Sequence, residues 1–137
     1  MSILLSVGEV ARFEVDATRA QNDGPSASLT APNGSAQRRL IIAVQNSLVT
    51  QNKRGALEAH GTGTALGDPV EVGAATGALC EAGIDVSCTS LKANMGHLEA
   101  VAGGAGAAAL LCLSLSFRGV AANAQTRNLN PHLVTVV

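Results

Sequence analysis

Two polar loops, each between a short apolar segment and a helix-forming segment, constrain the fold of this chain more than any other feature. The first lies within residues 58–71 (EAHGTGTALGDPVE) and the second within residues 90–100 (SLKANMGHLEA). Both segments have the form strand, loop, helix, which indicates an α/β fold. Open α/β sheets bind ligands at the carboxyl ends of their strands. We therefore expect His60 and His97, one from each segment, to belong to a functional site.

The composition of the first loop favours an uncharged ligand. Glycines at positions 61, 63 and 67 permit backbone dihedrals closed to other residues and the close approach of another group. Thr62 and Thr64 add neutral hydroxyls, which suit an amide-bearing ligand better than a phosphate. The third glycine comes one position too late for a dinucleotide-binding fingerprint, and no phosphate-loop lysine follows.

The helix after this loop has a strong predicted start. Asp68 is a good N-cap residue, Pro69 fits the first helical position, and Glu71 at the third completes an acidic variant of the capping box. Gly83 predicts the end of this helix, at residues 69–82. The hydrophobic pattern further predicts a helix at 35–48, strands at 10–18, 56–59 and 86–91, and a turn-rich loop at 21–34.

A long apolar segment follows the second loop. Residues 100–117 are uncharged, which by length alone would suit a membrane span. Its first half is rich in glycine and alanine, however, and a polar loop precedes it. We therefore predict one helix from His97 to about Phe117, buried on all sides in a core.

Charge and cysteine usage exclude several partners. Nine basic and ten acidic residues give a net charge of −1, without the positive surface that nucleic acids or anionic membranes require. The cysteines have no metal-site spacing and indicate reduced thiols, so we expect no metal. We expect a cytoplasmic protein, with a plastid as the alternative if a targeting segment is missing.

Four motifs, taken in order, resemble those of β-ketoacyl synthases, and in particular the ketosynthase domains of type I polyketide synthases and fatty-acid synthases. They are His60 to Thr64, Gly67 to Glu71, Lys92 to His97, and the upstream pair Asn22 to Gly24 and Ser28 to Gly34. The resemblance covers residues 18 to 132. It implies a thiolase-like α/β fold with a mixed sheet and covering helices.

The family has two further motifs that this sequence lacks. One is a Thr-Ala-Cys-Ser-Ser type segment with the nucleophilic cysteine, and the other is a Gly-Phe-Gly-Gly-Thr-Asn type loop. None of Cys80, Cys88 and Cys112 lies in such a context. We interpret the chain as a C-terminal-half fragment, incomplete at both ends, with a divergent extension at 1–17 and a partial ketosynthase domain at 18–137.

The resemblance implies decarboxylative Claisen condensation of acyl and malonyl thioesters. His60 and His97 would donate hydrogen bonds to the enolate oxygen, with Lys92 as a third catalytic residue. Thr62 and Thr64 would hold the phosphopantetheine arm of an acyl carrier protein. The residues expected to support the site are Asp68, Glu71, Asn94 and Glu99. No dissociable cofactor is implied, and the complete family member is expected to be a homodimer.

Two expectations concern the second loop. His97 is predicted in the first turn of a helix, where the positive end of the helix dipole disfavours protonation. An ion pair between Lys92 and Glu99 is predicted to orient the imidazole. The resemblance also implies that the 21–34 loop lies near the acyl channel, whereas a surface connection is the alternative.

Three functions are open on the sequence alone. The chain is a fragment of a condensing ketosynthase, a half-site that decarboxylates malonyl thioesters, or a non-catalytic interaction module or gene remnant. The last would dock another ketosynthase half through exposed sheet edges.

Overall fold

The computed structural model describes residues 2–7, 9–26, 28, 31–48, 53–116, 123, 131 and 133. Its elements alternate between strand and helix over most of this length. In chain order they are β1 Ser2–Val7, β2 Glu9–Glu14, α1 Gly34–Gln45, β3 Arg54–Glu58, α2 Gly67–Glu81, β4 Asp85–Thr89, α3 Lys92–Met95, a 3₁₀ turn Glu99–Val101 and α4 Ala102–Ser116.

A strand–helix–strand unit positions both histidine loops. β3 and β4 pair in parallel, with Arg54 opposite Asp85 and Glu58 opposite Thr89, and α2 connects them. The ladder extends one residue further, where the Ala59 N–H donates to the Thr89 carbonyl (2.8 Å). Because parallel strands end at the same edge, the loops after β3 and β4 are neighbours. The α/β prediction is confirmed.

The strands near the start of the chain form a separate antiparallel pair. β1 and β2 are joined in register from Ser2 opposite Glu14 to Val7 opposite Glu9. The predicted strand at 10–18 is correct in its first part and too long, since β2 ends at Glu14.

The described core lies where α1 packs against α2, and it is built from small residues. The buried apolar residues outside the loops are Ala36, Ala74, Ala75 and Ala78. Gly34 makes the approach possible, because a Cβ there would lie 3.0 Å from Val70 Cγ1. Arg38 forms an ion pair with Glu81 across the two helices. α1 begins after Asn33, whose side chain accepts the Ala36 N–H (3.0 Å).

The predicted start of α2 is wrong. The helix begins at Gly67, and its N-cap is Leu66, which makes no side-chain capping bond. Asp68 and Glu71 are therefore neither the N-cap nor the N3 partner of a capping box. Their carboxylates accept hydrogen bonds from N–H groups of the preceding loop instead.

The predicted helix from His97 is also wrong in two respects. It is divided, because the 3₁₀ turn precedes α4, which begins at Ala102. It is not buried on all sides: Gly103, Gly104, Ala107 and Ala108 are exposed, while Gly106 is buried. Among the described elements, α4 packs mainly against β3 and the 3₁₀ turn. Within the described ranges, no helix combines the length and apolarity needed to cross a membrane.

Candidate active site

The two histidines meet at the carboxyl edge of the parallel pair. Their ring centroids are 5.5 Å apart and the rings are nearly perpendicular, at 85°. His60 follows β3 directly, and His97 lies between α3 and the 3₁₀ turn. Both side chains are exposed. Thirty-six positions separate them in the sequence, so the parallel register and not local structure brings them together.

Carboxylates of α2 hold the first loop through its backbone. Glu71 Oε1 accepts the His60 N–H (2.6 Å), and Oε2 accepts the Gly61 N–H (3.0 Å). Asp68 Oδ1 accepts the N–H of Gly63 (3.2 Å). Hydrogen bonds to a charged acceptor are about twice as strong as neutral ones. Both residues therefore fix the loop that contains His60.

Close packing against the second segment requires a glycine at position 61. Its φ of +47° lies in the left-handed region, and an added Cβ would lie 2.7 Å from Ser90 Oγ. The backbone at Gly61 therefore packs closely against Ser90, which follows β4 and leads to Lys92.

The two threonines of the first loop are placed differently. Thr62 borders the cavity between the two loops. The Thr64 hydroxyl accepts the Gly67 N–H (3.0 Å) at the start of α2. Their predicted role in substrate binding stays a prediction.

The environment of His97 differs from the one predicted. The residue is outside any helix, so the helix-dipole argument does not apply to it. Gly96, at φ +79°, ends α3 and turns the chain. The Glu99 N–H then donates to Nδ1 of the imidazole (3.3 Å). A neutral ring that accepts at Nδ1 has its proton on Nε2. The predicted neutral state of His97 stays a prediction.

The predicted ion pair between Lys92 and Glu99 is absent from this described part of the chain. Glu99 acts on His97 through its backbone, and its side chain is exposed. Lys92 is the first residue of α3, and Asn94 lies on the same short helix.

Two open cavities flank this region. One, of about 470 Å³, lies between the loops and has Thr62, Cys88, Lys92 and His97 among its lining residues. The other, of about 320 Å³, lies between His60, Lys92 and the Gly106 side of α4. Lys92 borders both. A third, of about 600 Å³, separates the 25–35 region from the start of α2, and neither histidine lines it. The expected acyl-channel role of the 21–34 loop stays a prediction.

Sequence reasoning missed two residues that hold the segment before Lys92. Asn123 Oδ1 accepts from Thr89 Oγ1 (3.1 Å) and from the Ser90 N–H (2.9 Å). Glu58 Oε1 accepts the Leu91 N–H (2.5 Å). No spacing rule could have found Asn123. The position of Glu58, a charged residue at the end of a short apolar strand, could however have indicated that its side chain binds a neighbouring segment.

Cys88 is the cysteine that lines the cavity between the loops. Although the residue as a whole is exposed, burial raises the pKa of its thiol, and the nearby carboxylates of Glu71, Glu58 and Asp68 raise it further. A thiol with a raised pKa is a poor nucleophile because the thiolate is the reactive form.

Among the described residues, no group of three His, Cys, Asp or Glu side chains could hold a metal ion.

Comparison with known proteins places this geometry in a family. The sequence model of the family described as β-ketoacyl synthase, C-terminal domain, matches residues 12–126, which are most of the chain. The chain belongs to the β-ketoacyl synthase family. This confirms the resemblance drawn from the motifs, together with the partial thiolase-like fold. The division predicted between residues 17 and 18 stays a prediction.

Curated relatives of this ketosynthase chain are polyketide synthases. The polyketide synthase GfsA of Streptomyces halstedii is 43% identical over 105 residues, which cover 74% of the chain and 1% of that protein. Spectinabilin polyketide synthase system protein NorA' of Streptomyces orinoci is 47% identical over 96 residues (67% and 3%). A highly reducing polyketide synthase of Leptosphaeria maculans is 38% identical over 100 residues (70% and 4%). The chain thus spans a few per cent of the length of these relatives.

Proposed function

We propose that this chain provides the histidine half of a ketosynthase active site in polyketide biosynthesis. In this proposal His60 and His97 together stabilise the enolate formed when a malonyl thioester loses carbon dioxide. The observation that supports it best is that the centroids of the two imidazole rings, from separate loops, lie 5.5 Å apart.

The first step breaks the bond between the malonyl α-carbon and its carboxylate. Carbon dioxide leaves, and the electron pair passes to the thioester oxygen. Two N–H donors aimed at that oxygen stabilise the developing charge, each by about 2.7–4 kcal/mol. His97 is suited to this role because its Nδ1 is already an acceptor, which leaves the proton on Nε2. Lys92 adds positive charge beside both cavities.

The second step is the condensation. The enolate carbon attacks an acyl thioester on a cysteine, the new carbon–carbon bond forms, and the cysteine leaves as a thiolate. Cys88 is a poor candidate because burial and nearby carboxylates raise the pKa of its thiol. We propose that the nucleophile belongs to another part of the ketosynthase.

The malonyl group would arrive on an acyl carrier protein. The cavity of about 470 Å³ has Thr62 and His97 among its lining residues, and the Thr62 hydroxyl would bind the amides of the phosphopantetheine arm. The Thr64 hydroxyl accepts the Gly67 N–H and keeps its own hydrogen to donate. We propose that no dissociable cofactor takes part, and that the complete enzyme is a homodimer.

A second function is favoured by the exposed apolar surface. Leu66, Met95 and Val101 are 58%, 63% and 62% exposed, and much of α4 is open. Where exposed apolar side chains form one contiguous patch, they mark a surface that binds another protein. In this alternative the chain is a non-catalytic interaction module that docks the cysteine-containing half of a ketosynthase.

Carbon dioxide release from malonyl-carrier protein tests both functions. The purified chain is assayed alone and with a separately produced ketosynthase N-terminal half, beside His60→Ala, His97→Ala and Lys92→Ala. Glu81→Ala is the control, since Glu81 lies at the far end of α2. We expect each histidine variant to lose about 100- to 1000-fold in rate. Release that is lost in both histidine variants supports the proposal, whether or not it needs the added half. Binding of the added half without any release supports the docking alternative, and release that survives both histidine substitutions contradicts the proposal.

A further inference from the structure

Glu58 links the strand that leads into His60 to the helix that begins at Lys92. It is the last residue of β3, and its side chain reaches beyond the ladder to the next segment. There Oε1 accepts the Leu91 N–H at 2.5 Å. Leu91 is the N-cap of α3, which has no side-chain cap of its own. The Glu58 carboxylate thus binds the backbone immediately before Lys92.

A third element, α4, leaves room for this side chain. Gly106 is a buried residue of α4, and a Cβ built on it would lie 3.0 Å from Glu58 Cγ and 3.8 Å from Oε1. The open positions Gly103 and Gly104 have no atom within 4 Å of such a Cβ. The absence of a side chain is therefore needed at position 106, where Glu58 passes between β3 and α4.

We propose that Glu58 is a positioning residue that sets the distance between His60 and Lys92. Its backbone leads through Ala59 into His60, and its carboxylate fixes the start of α3. Both residues border the cavity that Glu58 also lines. One carboxylate therefore couples the two motif segments at the edge where the imidazoles meet.

The first test measures hydrogen exchange at single amides of the full chain and does not depend on catalysis. Glu58→Ala is expected to raise the exchange rate of the Leu91 N–H about 10- to 100-fold, the effect of losing a hydrogen bond to a charged acceptor. Glu58→Gln, which keeps an oxygen acceptor, is expected to raise it much less. Amides of α1 and α2 keep their rates in both. Unchanged exchange at Leu91 in Glu58→Ala overturns the proposal.

Gly106→Ala supplies a second variant that leaves Glu58 in place. A methyl group at this position pushes the Glu58 side chain aside, so the Leu91 amide is expected to exchange faster here too. Gly103→Ala is the matched control in the same helix, because nothing lies near its Cβ. Equal exchange in the two alanine variants would contradict the role assigned to Gly106 and Glu58.

The kinetic test rests on the proposed function. In the carbon dioxide assay we expect Glu58→Ala to lower kcat roughly 10- to 100-fold with little change in KM, since small misplacements act on the chemical step. Glu58→Gln should restore most of the rate, and Glu81→Ala should match the parent. If KM and kcat both fall in Glu58→Ala and Glu58→Gln does not restore them, the proposed positioning role is contradicted. If the parent releases no carbon dioxide, the proposed function fails, while the exchange experiment still decides the role of Glu58.

Discussion

The two histidine loops are built on different principles. The loop after β3 is held from outside, by carboxylates of α2 that bind the backbone of His60, Gly61 and Gly63. The loop that presents His97 is closed by its own backbone, through the turn at Gly96 and the bond from the Glu99 N–H to the ring. The first loop fixes the position of its histidine through a neighbouring helix, and the second places a backbone N–H of its own against Nδ1 of its histidine.

The largest effect is expected from removing the external support. Glu71→Ala leaves two backbone N–H groups without their charged acceptor, so we expect a loss of about 2–4 kcal/mol in the free energy of unfolding. Glu71→Gln keeps one acceptor and should lose about half as much. The measurement is urea-induced unfolding. Glu81→Ala, which breaks only a surface ion pair, should lose less than about 1 kcal/mol. Equal losses of unfolding free energy in all three variants would contradict the claim that Glu71 holds the first loop from outside.

The next effect separates backbone strain from close contact. Gly61 and Gly63 both have positive φ, at +47° and +78°, but only Gly61 faces Ser90. Gly63→Ala should therefore lose about 1–2 kcal/mol, the cost of a left-handed non-glycine residue. Gly61→Ala should lose more, because Ser90 must also move. Unfolding of both variants under the same conditions measures the difference. Equal losses of unfolding free energy would mean that Gly61 does not pack closely against Ser90.

The histidine loops also explain how far the sequence could predict this site. Apolar segments and glycines predicted the β3–α2–β4 unit, and the parallel register then placed His60 beside Lys92. The resemblance implied that Asp68 and Glu71 support the site, but the N–H groups that they bind were not predictable. A carboxylate in a first helical turn can bind the helix's own N–H groups or those of a loop, and only the folded loop selects between them.

Other features depended on distant parts of the chain. Asn123 binds the end of β4 from 34 residues away, so no local pattern indicates it. The apolarity of residues 100–117 predicted a buried helix, yet apolarity does not specify what covers it. Here Gly106 lies against Glu58 of β3, while Gly103, Gly104, Ala107 and Ala108 of α4 are exposed. The left-handed Gly96 moved His97 out of the helix in which it was predicted.

The smallest effect concerns the cavity between the loops and depends on pH. The pKa of the Cys88 thiol is raised in the folded chain, so the unfolded chain releases this proton at lower pH. The resulting stabilisation is complete below the ordinary value of 9.0 and is lost as the pH rises through the folded pKa. Between pH 8 and 11 the free energy of unfolding should therefore fall less steeply with pH in Cys88→Ala than in the parent. Cys80→Ala is the control and should follow the parent. A parent curve that rises in this range contradicts the assignment.

The central claim is that the two imidazoles act on one oxygen, and a double-mutant cycle tests it most directly. Carbon dioxide release from malonyl-carrier protein is measured for the parent, His60→Ala, His97→Ala and the double variant, alone or with the added ketosynthase half. Residues that act as a unit give non-additive losses. We predict that the double variant loses little more rate than either single variant. Losses that multiply, or variants that release carbon dioxide as fast as the parent, would contradict the account.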